Sequence, residues 1–226
     1  MGNRWVFGAA GAAFVLAAGG CATEQPPARS YLLPEVQTAL VLPALDLGLK
    51  KSPLGLGDTF VFDNPPEQWT VVSVEGPFVG WQATTGDYMQ TAWSTLLPPL
   101  RWGGGSATTN SGMRRFTELT GALFPLKTGN RLSFVEHRTN ARPSDTFVGR
   151  WECEVGKQDE TVVPAGKADT WEVLCTLDGR ERAFFNYAPS LGHYVRYAVD
   201  TPSGPVIRQL TGYARGKAAA TTSSAR

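Results

Sequence analysis

Apolar and polar residues alternate along much of this chain with a period of two, the spacing of a strand with one buried and one wet face. The pattern is plainest in Asp145 to Val155. There Phe147, Gly149, Trp151, Cys153 and Val155 share one face, and Thr146, Val148, Arg150, Glu152 and Glu154 share the other. Asp169 to Leu177 repeats it, with Trp171, Val173, Cys175 and Leu177 on one side. Shorter segments with strand character begin at Asp58: Asp58–Asp63, Trp69–Glu75, Phe78–Thr84 and Tyr88–Trp93, parted by Asn64-Pro65-Pro66-Glu67, Glu75-Gly76-Pro77 and Thr85-Gly86-Asp87. Turn signals at such short intervals indicate an antiparallel meander. Arg131–Arg138, His193–Asp200 and Val206–Tyr213 read as further strands, and Met113–Thr120 as a strand or one helical turn. Pro98–Gly112, with Gly103-Gly104-Gly105 and a Ser/Thr/Asn cluster, reads as a surface loop. The expected fold is mainly β: an antiparallel meander forming a curled sheet or a partly open barrel, with little helix outside the leader.

One hairpin sets a problem. Asp178-Gly179 is a two-residue turn signal. It would pair Leu177 with Arg180 and put Arg182, Phe184 and Asn186 on the buried face of the returning strand. The more apolar set is Ala183, Phe185 and Tyr187. Either a bulge shifts the register, or both faces of the hairpin are covered.

The N-terminus has a different pattern. Met1–Arg4 carries one positive charge, Trp5–Leu16 is apolar, and Ala17-Ala18-Gly19-Gly20 supplies small residues before Cys21. These are the parts of an export signal. The run resembles the lipobox of bacterial lipoproteins, departing from it in having Ala18 where Leu is usual. That resemblance implies lipidation of Cys21 as the new N-terminus. An ordinary cleaved signal and an uncleaved anchor are the alternatives, although the apolar run is shorter than a bilayer span requires. Ala22 rather than Asp after the cysteine implies, by the same resemblance, an outer-membrane destination and a periplasmic face. The expected organisation is a signal peptide over 1–20, a tether and arm over 21–50, one β-rich domain over 51–215, and a disordered tail over 216–226.

Composition adds exclusions. Removing the leader removes Arg4 alone among charged residues, leaving 20 of each sign. A balanced charge argues against nucleic acid and against electrostatic capture by a membrane. Membrane association is expected through the lipid. Seven Trp, six Tyr and eleven Phe with 25 Gly and 16 Pro suit pleated surfaces joined by turns.

Candidate chemistry is sparse. Cys153 and Cys175 lie on the apolar faces of two strands, the first two residues beyond Trp151 and the second four beyond Trp171. An exported chain meets an oxidising compartment, so a structural disulfide is one reading and a pair of buried thiols the other. A redox or metal pair lacks the CxxC and His partners it would need. His137 and His193 read as structural. Ser106 and Ser111 lie beside Gly but outside any G-x-S-x-G turn. Gly103-Gly104-Gly105 lacks the Lys-Ser/Thr of a phosphate loop. No catalytic residue, cofactor or metal is expected. Trp69, Trp81, Trp151 and Trp171 are candidates either for the core or for an apolar ligand face in the concavity of the sheet.

Three segments resemble signatures of uncharacterised envelope proteins of Gram-negative bacteria. Val163-Pro164-Ala165-Gly166 with Asp169-Thr170 is similar to V-P-A-G-x-x-D-T. Tyr187-Ala188-Pro189 with Gly192 is similar to Y-A-P-x-x-G. Leu123-Phe124-Pro125-Leu126 with Gly129 is similar to L-W-P-L-x-x-G. Together they resemble the DUF3108-like families, which implies a β-rich periplasmic domain and brings no catalytic residues. The signatures also read as structural punctuation, since each places Pro and Gly at a turn. The functional expectation is a non-enzymatic envelope lipoprotein with a structural or partner-binding role. A carrier or sensor of a hydrophobic, lipid-like ligand is the alternative, and an envelope hydrolase has least support.

Overall fold

The computed structural model describes residues 53–92, 94–104, 111–141, 146–201 and 204–216. Cys21 and its leader, the arm to Lys50, Trp93, Ser106 and the tail beyond Gly216 lie outside them.

The strands are β1 (Thr59–Phe62), β2 (Glu67–Glu75), β3 (Phe78–Ala83), β4 (Asp87–Ala92), β5 (Arg101–Gly104) and β6 (Gly112–Gly121). They continue as β7 (Arg131–Asn140), β8 (Thr146–Val163), β9 (Gly166–Leu177), β10 (Arg180–Ala188), β11 (His193–Val199) and β12 (Val206–Ala214). Each pairs antiparallel with its neighbours in the sequence, and β1 pairs with β12, so the twelve strands close into a barrel. The mainly β, antiparallel expectation holds, and the sheet closes completely. Closure leaves no sheet edge exposed. Outward positions of β8 carry Arg150, Glu152 and Glu154, and Arg131 of β7 pairs with Glu154 at 2.8 Å. A lipid-facing wall would be apolar there, so this wall faces water and the core lies inside.

The hairpin problem resolves by a bulge. Leu177 pairs with Arg180 and Thr176 with Glu181, and then Cys175 pairs with Ala183. Arg182 is the extra residue, and its insertion turns Ala183, Phe185 and Tyr187 inward, all buried. The turn has positive φ at both Asp178 (51°) and Gly179 (76°), as a two-residue hairpin of matching twist requires.

Three expectations need correction. Residues 98–112 are not all loop: β5 lies within them, held between β4 and β6, with Leu100 buried just before it. The long strand expected over Asp145–Val155 does not end at Val155. A bulge between Val155 and Gln158 lets β8 run 18 residues to Val163. Strand β9 starts at Gly166, ahead of Asp169-Thr170, because the turn is only Pro164-Ala165.

Two apolar clusters fill the interior. One spans β4 to β10 and includes Phe116, Leu123, Phe124, Phe134, Trp151 and Tyr187. The other gathers Phe60, Phe62, Val71, Val79, Trp81 and Leu210 from β1–β3 and β12. Burying each large side chain contributes about 1.5–3 kcal/mol.

Antiparallel order puts alternate connections at opposite ends of the barrel. At one end, residues 53–58, 94–100, 122–130, 164–165 and 189–192 bring Leu54, Leu96, Leu97, Leu123 and Phe124 into the core. The β8–β9 tip folds onto β11 and β12: Ala165 N donates to Leu210 O at 3.0 Å, and Arg196 Nη2 donates to Val162 O at 3.0 Å. All three signature segments are connections at this sealed end. Asp58 locks it. Its buried carboxylate accepts from Arg215 Nη1 (2.6 Å), Gly216 N (2.8 Å) and Gly55 N (3.0 Å). Arg215 also donates to Ser190 O at 2.6 Å, tying the last strand to the β10–β11 turn. Gly216 is needed there, because a Cβ would collide with Leu56 O.

Candidate functional site

The other end of the barrel is built differently: charged side chains point inward there. On β7 the inward set is Leu132, Phe134, Glu136 and Arg138, and on β6 it is Arg114 and Phe116. Glu136 is 2% exposed. It accepts from Arg114 Nε at 2.6 Å and from Trp151 Nε1 at 2.6 Å. Arg114 also donates Nη1 to Pro99 O at 2.9 Å, and its guanidinium lies 4.2 Å from the Trp102 ring centre. Burial pulls the Arg114 guanidinium below its usual range, Glu136 opposes that, and Arg138 adds to the lowering.

A second cluster of the same composition sits across the mouth. Glu67 accepts from Arg208 Nη2 at 2.6 Å and from Trp69 Nε1 at 2.9 Å, with both charged side chains 18% exposed. Between the clusters stands Tyr197. Burial pushes its phenol up, and Arg182, Arg208 and Arg114 pull it back. Arg182 itself donates to Asp200 O. The mouth thus holds positive groups from three strands around a shielded phenol.

His193 belongs to the packing. It stacks on Phe60 with centres 4.5 Å apart, meets Trp81 edge-on at 5.4 Å, and its Nδ1 bonds Tyr194 O at 2.9 Å. Desolvation lowers its pKa to about 4, with a smaller push from Arg208, so the ring is neutral. His137 points outward to Thr117 Oγ1 at 3.0 Å.

The four tryptophans divide between the clusters. Trp81 and Trp69 pack with the β1–β3 cluster, and Trp151 and Trp171 with the other. Trp81 is fully buried and donates to Thr91 Oγ1 at 3.0 Å. Trp151 is spent on Glu136. Cys153 and Cys175 face each other in register across β8 and β9 and are joined as a disulfide. Among the described residues, no group of three or more His, Cys, Asp or Glu could hold a metal ion.

Glu67, Arg114, Glu136, Arg138 and Arg208 were not singled out from the sequence. A signal for them existed: each is a charge at an inward position of an apolar stripe, beside Val71, Phe116, Phe134 and Leu210. A charge at such a position is either paired inside or placed for a ligand.

No family model matches the chain, the DUF3108-like resemblance included, and no curated protein matches it. Two solved structures are similar in part. One is the hypothetical lipoprotein YmcC from Escherichia coli K12, at 12% identity, covering 70% of this chain and 85% of that one, with a TM-score of 0.46. The other is an exported protein with a YmcC-like fold from Bacteroides fragilis, at 12% identity, covering 72% and 98%, with a TM-score of 0.34.

Proposed function

We propose that this chain is an exported, lipid-anchored envelope protein that works by binding rather than by catalysis, held by Cys21 at the periplasmic face of the outer membrane. The observation that carries this reading is the Cys153–Cys175 disulfide in the barrel wall. Such a bond persists in an oxidising compartment, and it stands behind a leader that ends in small residues and Cys21. The wall facing water supports anchoring by lipid rather than by strands in the bilayer. The inward carboxylates support binding over hydrolysis: Glu136 and Glu67 are each engaged by an arginine and an indole.

Metabolic labelling with a fatty acid tests the anchor. The chain is expected to take the label and to sediment with outer membranes, and Cys21→Ser to be unlabelled and released. An unlabelled, released parent chain would overturn the anchor.

A carrier of a hydrophobic ligand is the second reading. Trp81 and Trp151 are already consumed by internal packing and hydrogen bonds, so any ligand contacts would lie at the charged mouth.

A further inference from the structure

Among the described residues, the inward charges at the mouth do not balance on the β5–β8 side. Arg114 and Arg138 are direct partners in the β6–β7 register. Both belong to the inward set, which brings two guanidinium groups side by side. Like charges directly opposite one another on a sheet repel. One carboxylate, Glu136, serves the pair, and it is bonded to Arg114. The Nε of Arg138 is buried, and among the described residues no atom accepts from it. Its guanidinium is held 4.7 Å from the Phe147 ring centre, as that of Arg114 is held over Trp102. The aromatic faces fix both cations in place. Tyr197 lies near enough to Arg182, Arg208 and Arg114 for all three to favour its ionised form.

We infer that Arg138, backed by Arg114, is a binding site for the carboxylate of a small organic acid or a fatty acid. The Arg114–Glu136 contact shows the geometry: a carboxylate oxygen 2.6 Å from a guanidinium Nε. The buried Nε of Arg138 has no such carboxylate partner among the described residues. Two guanidiniums against one carboxylate leave a single positive charge, which one carboxylate neutralises. A planar carboxylate also fits the fork of a guanidinium and gains strength in a shielded site. This site does not depend on the anchor at Cys21.

The test follows the side-chain Nε–Hε resonances of the intact chain, labelled with nitrogen-15, at low salt. Acetate and decanoate are titrated against chloride at matched ionic strength. The Arg138 resonance is expected to shift saturably with carboxylate and not with chloride. Saturation by decanoate at tenfold or more below acetate identifies a fatty acid as the source. Equal saturation identifies a small acid. In Arg138→Gln, followed through the resonance of its register partner Arg114, the affinity is expected to fall at least tenfold while the Arg208 resonance stays unchanged. No saturable response of the parent chain beyond that to chloride would overturn the proposal without any variant. An undiminished response in folded Arg138→Gln would overturn it equally.

Discussion

The two Arg–Glu–Trp clusters at the mouth contain the same three groups and differ in two ways. Arg114–Glu136–Trp151 encloses a carboxylate at 2% exposure, whereas Arg208–Glu67–Trp69 keeps both charges at 18%. The first cluster also has a second arginine, Arg138, directly opposite its own in the β6–β7 register. Burial decides how strongly each triad resists disruption, because a lone charge in a dry interior has no water to replace its partner. The extra arginine decides which cluster has something left to bind. One is therefore a rigid support with a free binding edge, and the other a closed structural pair.

The largest expected effect comes from breaking the buried triad. Glu136→Gln leaves Arg114 uncompensated and should cost about 3–5 kcal/mol in urea denaturation. The double variant Arg114→Met/Glu136→Leu should recover most of that loss, since burying the pair carries its own desolvation cost. Next is the His193 cage, near Arg208. The ordinary imidazole pKa is about 6.5, and the folded value is about 4. Between these the unfolded chain binds the extra proton, so folding stability is full above about 6.5 and falls toward pH 4. The total loss is about 3 kcal/mol. Denaturation midpoints measured across that range should fall with pH, and His193→Phe should flatten the dependence. A smaller loss, about 1–2 kcal/mol, is expected for Glu67→Gln in the more exposed triad. Smallest is Arg131→Ala on the outer wall, where the pair with Glu154 is solvated; a change below about 0.5 kcal/mol is expected.

The sequence revealed the barrel more readily than its mouth, for a physical reason. Period-two alternation in β8 and β9 reports which face is buried, and the mismatch around Arg182 even announced the bulge. Strand β5 escaped notice because its Gly103 and Gly104 resemble loop residues, and only pairing with β4 and β6 makes them a strand. The Asp58 lock was hidden for a similar reason. Its partners, Arg215 and Gly216, come from the far end of the domain. The mouth charges were visible individually, but their pairing depends on cross-strand register. Arg114 and Arg138 are 24 residues apart and become neighbours only once β6 and β7 align. The aromatic content indicated a packed interior without indicating that the tryptophans would divide between two clusters.

The most direct measurement compares the stability of Arg138→Met with the parent chain in a buffer free of carboxylates. If Arg138 is a cation held ready for a ligand beside a like charge, removing it should leave stability unchanged or raised, since the repulsion with Arg114 goes with it. A loss of more than about 1 kcal/mol would mean that Arg138 is a structural support, and would contradict the contrast drawn between the two clusters.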